Sequence, residues 1–88
     1  MHTDEYEISI GREISLCRRI SERLRNAIMD KEKKYGMTTE AFLQLQEQSQ
    51  SAVQNRDFKS WRKDHLELKS WQQRLSEYEK ALQMIKGI

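Results

Sequence analysis

The chain is predicted to be all-α, an antiparallel helical hairpin or three-helix unit that completes a helical bundle by self-association. Three observations carry this. Its 88 residues contain no proline and only three glycines, Gly11, Gly36 and Gly87, so punctuation for turns and strands is nearly absent. Apolar residues recur in steps of three and four through both halves of the chain, the spacing that keeps them on one helical face. Hydrophobic residues make up 36% against 34% charged, and mean hydropathy is −0.95, a polarity normal for long amphipathic helices but poor for a self-sufficient core. Small chains usually need a disulfide, a metal or a partner chain to be stable. Cys17 is the only cysteine, and His2 and His65 are too few and too far apart for a structural zinc site, which leaves association.

The first helix is expected over about residues 3–35. Ile10, Ile14, Cys17, Ile20, Leu24, Ala27, Ile28 and Tyr35 form its apolar stripe. Gly11 lies inside it at about 1 kcal/mol relative to alanine, so a bend or a frayed first turn is expected there. Residues 36–38 form the turn. Lys33 and Lys34 face the negative end of the first helix dipole, and Gly36 supplies a left-handed closing residue. Thr38 caps the next helix, Glu40 suits its positive end, and Met37 and Phe42 occupy the two positions of a hydrophobic staple.

The second helix is short, about residues 39–53, and its apolar face, Phe42 and Leu45, gives out in a Gln- and Ser-rich stretch. Residues 54–57 then read as a turn with Asp57 capping a third helix, or as one continuous helix, since neither glycine nor proline enforces a break. The third helix, about 57–86, is the most regular. Trp61, Leu68, Leu75 and Leu82 are spaced by seven, and Trp71, Tyr78 and Ile85 form the interleaved series, a coiled-coil-like seam interrupted by Asp64. With Phe58, these residues (Trp61, Asp64, Leu68, Trp71, Leu75, Tyr78, Leu82 and Ile85) are the predicted interface, because tryptophan is enriched where interfaces concentrate their binding energy.

Function classes can be narrowed from the same residues. Sixteen basic and fourteen acidic side chains leave a net charge of +2, so the chain is no global polycation. Arg18, Arg19, Arg23 and Arg25 make the second half of helix one locally basic and are the candidate nucleic-acid contacts, the secondary reading. They wrap around the helix, and Glu22 is spaced to pair with Arg18 and Arg19. Asp64, His65 and Glu67 bring acid and imidazole groups together in sequence, but consecutive helical residues diverge by about 100°. No enzyme, metal or cofactor is therefore expected, and Asp64 is assigned to register or to pairing with a basic side chain across an interface. The N-terminus has neither the basic start nor the apolar run of a signal peptide, and no stretch is long enough to span a membrane, so a cytoplasmic protein without membrane contacts is expected.

The stretch Lys34-Tyr35-Gly36-Met37-Thr38-Thr39-Glu40-Ala41-Phe42, followed by Asp57-Phe58, Trp61, Glu67-Leu68 and Trp71, resembles small prokaryotic antitoxin-like proteins. The resemblance covers about half the chain. It implies a protein partner, typically a toxin encoded nearby, neutralised by occlusion of its active surface. The basic, glutamine-rich interval and the lysines and arginines among the tryptophans depart from that pattern. The expectation is a non-enzymatic protein–protein interaction module, a homo-oligomer with a dimer favoured.

Overall fold

The computed structural model describes residues 3–48 and 55–86, and every regular element among them is a helix. Helix α1 spans Thr3–Tyr35, α2 spans Thr39–Gln48 and α3 spans Arg56–Lys86. The expected end of the second helix near residue 53 falls outside the described residues. α1 continues through Gly11 without a break, since 33 residues of otherwise good helix formers outweigh one glycine.

The turn closes as the residue types require. Gly36 adopts φ 63°, the left-handed conformation. The Met37 amide donates to the Glu32 carbonyl at 3.2 Å, the long bond of a Schellman closure. Thr38 then caps α2: its hydroxyl accepts from the Ala41 amide at 3.2 Å, and its carbonyl accepts from the Phe42 amide at 3.0 Å. Met37 and Phe42 meet in one apolar cluster, as a staple demands.

At the start of α3 the cap is Asn55, not Asp57. Asn55 is non-helical, and its side-chain oxygen accepts from the Asp57 amide at 2.8 Å. Asp57 lies inside the first turn of the helix, and its carboxylate is occupied across the hairpin.

α1 and α3 run antiparallel and make the principal helix contact, giving a rod of 58 × 20 × 18 Å. Its radius of gyration, 17.5 Å, compares with about 12 Å for a compact domain of this length. The central line of α1 is Ile10, Ile14, Cys17, Ser21, Leu24 and Ile28, all buried, in alternating steps of four and three. Ser21, absent from the stripe expected from sequence, takes its place on that line. Ile20 and Ala27 sit beside it, half-buried.

Candidate interaction surface

Trp61 is the centre of the interior and has no exposed surface. Its ring stacks on Phe42 at 3.9 Å and 2°, and Tyr35 lies parallel to it at 6.0 Å. Phe58 packs edge-on to Tyr35 at 5.1 Å and tilted against Phe42 at 5.2 Å. The indole N–H donates to the Thr39 hydroxyl at 2.9 Å. That hydroxyl donates to Glu32 Oε2 at 2.9 Å, and the same oxygen accepts from the Thr39 amide at 2.8 Å. Thr39 is buried, so this relay satisfies polar groups that water does not reach. All three helices meet in it.

Beside the relay, Asp57 Oδ2 accepts from Lys34 Nζ at 2.6 Å and from the Tyr35 hydroxyl at 2.7 Å. The bonds from Lys34 and Tyr35 hold the Asp57 carboxyl below its usual range. Reciprocally, the bond to Asp57 raises Lys34 and Tyr35 above their ordinary values. The turn end of the hairpin is thus locked by aromatic stacking, a buried relay and an ion pair.

Seven-residue spacing sorts the rest of the rod into two flanks. On one, Arg18 and Glu32 of α1 face the same way as Phe58 and Glu79 of α3. This flank is tied in part: Arg18 bridges Glu79 at 3.0 Å, and the hydrogen bond of Thr39 to Glu32 and the ring contact of Phe58 with Phe42 hold α2 against its turn end, while Gly11, Ile14 and Leu82 line an open cleft toward its far end. The opposite flank carries Ile20 and Ala27 of α1 and Glu67, Arg74 and Ala81 of α3, bordered by Trp71, Tyr78 and Ile85 of the seam. α2 does not pack on it, but the same spacing carries its lines on to Lys34 and Asp57, whose 2.6 Å bridge closes it at the turn end. Its apolar side chains are only half-buried, although Trp71, Tyr78 and Ile85 hold seam positions. Arg74 covers part of Trp71, with its guanidinium carbon 4.6 Å from the ring centre.

The predicted interface residues therefore divide by height along the rod. Phe58 and Trp61 belong to the intrachain cluster, with Leu68 packed against it, so Trp61 is core and offers no surface. Leu75 and Leu82 are half-buried between the helices, while Trp71, Tyr78 and Ile85 border the open flank. Asp64 is half-buried and has no ion-pair partner among the described residues; His65 projects toward the α2 flank, away from it. Of the four arginines, Arg18 and Arg25 share one side of α1, and Arg19 and Arg23 share another, roughly 130° round the helix. Arg18 is engaged by Glu79, so the four form no single basic stripe. Cys17 is enclosed between the helices, and burial pushes its thiol up despite the nearby Arg74, which suits an inert packing residue.

Sequence reasoning missed Glu32, Thr39 and Asn55. One signal was present: an acidic residue in the last turn of α1 opposes the helix dipole and implies a donor elsewhere.

Among the described residues there is no group of three or more side chains able to hold a metal ion, and no helix long and apolar enough to cross a membrane. No protein-family model matches the chain, and neither does any curated protein or solved structure.

Proposed function

We propose that this protein is a non-enzymatic protein–protein interaction module, with the open flank of the α1–α3 hairpin as its binding surface. One observation carries the reading: three consecutive seam residues of the most regular helix, Trp71, Tyr78 and Ile85, are left half-buried along the side that carries Ile20 and Ala27 and that α2 does not cover. An apolar stripe on a rod is a surface that a further helix fits, by the same knobs-into-holes packing that holds α1 to α3. A partner-neutralising role is the finer form of this reading, supported by the resemblance of the 34–42 turn to antitoxin-like proteins.

The test compares tagged wild type with a Trp71→Glu/Tyr78→Glu variant that retains its helical circular dichroism. Native mass spectrometry of the purified material is expected to show wild type in a stoichiometric complex, with itself or another chain, that the variant does not form. Wild type and variant both running as free 10.6 kDa chains refutes the reading.

A further inference from the structure

We infer that the occupant of the open flank is a second copy of this chain, docked antiparallel about a twofold axis that crosses the rod at the height of Trp71, to form a four-helix bundle. This rests on the reading of that flank as a binding surface and adds the partner and its orientation.

The charges bordering the flank specify both. On α1, Glu13 and Lys31 are eighteen residues apart, five full helical turns, so they lie on one line, and both are half-buried on the flank. On α3, Lys63 and Glu77 are two heptads apart and share a second line at its edge. The midpoint of the first pair is Glu22 and that of the second is Ser70. The cross-hairpin contacts Arg18–Glu79, Lys34–Asp57 and Lys86–Glu7 fix which residues share a height, and they set Glu22 about level with Ser70. Both charge pairs are therefore symmetric about the same height. Lys31 and Lys63 stand toward the turn end, where Asp64 and Glu67 also border the flank and Lys63 lies 3.9 Å from Glu67; Glu13 and Glu77 stand toward the far end, with Arg74 between.

Turning a second copy end over end about that height stacks α1 on the partner's α1 and α3 on the partner's α3. Glu13 then faces the partner's Lys31, Lys63 faces the partner's Glu77, and both contacts repeat by symmetry. A parallel arrangement instead gathers Lys31 and Lys63 of both copies at one end and their acidic counterparts at the other, which repulsion disfavours. Trp71 falls near the axis, where the half-buried indoles of the two copies approach one another.

The experiment is sedimentation velocity of the full chain over a wide concentration range, with two charge-reversed variants, Glu13→Lys/Glu77→Lys and Lys31→Glu/Lys63→Glu. Wild type is expected to be dimeric, each variant to dimerise about tenfold or more weakly, and their equimolar mixture to recover dimers, since every reversed charge then meets its opposite. Orientation is read from a spin label on Lys33→Cys in a Cys17→Ser background. Antiparallel docking separates the two labels by roughly 30 Å along the rod, from eleven residues either side of the axis. A much shorter distance, a wild type monomeric at every concentration, or variants that dimerise like wild type would each overturn the inference. If wild type is monomeric alone yet captures another chain through Trp71 and Tyr78, the self-pairing fails while the binding surface stands; if it does neither, both fall.

Discussion

Removing the Thr39 hydroxyl is the most direct test of the relay that joins the three helices. Thr39→Val preserves the β-branched shape and nearly the volume, so packing against Trp61 and Phe42 changes little. It deletes the acceptor for the Trp61 indole N–H and one of the two donors to Glu32 Oε2. Trp61 has no exposed surface, so its N–H finds no water in exchange. A buried donor left unpaired costs about 1–3 kcal/mol. Taking about 2 kcal/mol and the scaling for domains of 60–100 residues, the melting temperature should fall by about 8–16 °C. The assay is thermal and urea denaturation followed by circular dichroism, at one fixed protein concentration because association couples to stability. Thr39→Ser, which keeps the hydroxyl, should lose only about 1 kcal/mol for its methyl group. On a Trp61→Phe background there is no indole N–H to strand, so the cost of Thr39→Val should shrink markedly. A Thr39→Val protein within about 0.5 kcal/mol of wild type, or an unchanged cost on the phenylalanine background, would refute the relay as a structural element.

Other perturbations have definite signs. Ser21 Oγ is buried without a hydrogen-bond partner among the described residues, so Ser21→Ala should stabilise the chain by about 1 kcal/mol, measured by urea denaturation. Gly36→Ala forces a side chain into φ 63° and should destabilise by about 1 kcal/mol, although no atom lies close enough to clash, so a neutral result would mean the Schellman closure relaxes. Gly11→Ala meets nothing within 4 Å and should raise stability by about 1 kcal/mol through helix propensity. For Asp57, whose carboxyl is held low by Lys34 and Tyr35, the contribution is present above the ordinary value of 3.8 and is lost as pH falls through the lower folded value. Lys34 and Tyr35 are raised above 10.5 and 10.0, so their contribution is complete below those values and fades as pH rises past them. Asp57→Asn should flatten both limbs of the stability–pH curve.

The parts of this fold legible in the sequence are those decided locally. Gly36, Thr38 and the Met37–Phe42 staple announce the turn because each answers a backbone requirement within a few residues. The heptads of α3 are equally local, since spacing alone defines a stripe. Which part of that stripe is covered depends on where α2 comes to rest, and this is set by Phe42 finding Trp61 across 19 positions of chain. Spacing therefore treats Trp61 and Trp71 alike, whereas tertiary packing makes one core and leaves the other at a surface. The choice of Asn55 over Asp57 as the cap was ambiguous for a related reason. Both residue types cap well, and Asp57 was claimed by Lys34 and Tyr35 from the opposite helix. Ser21 escaped notice because a polar residue on a buried line breaks the apolar pattern while keeping its period.

The two indoles, so differently housed, also make the protein its own spectroscopic instrument. Trp61, sealed between Phe42 and Tyr35, emits from a dry site that soluble quenchers reach only when the helices part, so its fluorescence follows unfolding. Trp71, half-open beneath the Arg74 guanidinium, emits from a site at the mercy of whatever settles on that flank. With Trp61→Phe and Trp71→Phe proteins to separate the two signals, occupation of the flank becomes visible as a colour change and loss of quenching in one residue while the other stays dark to it.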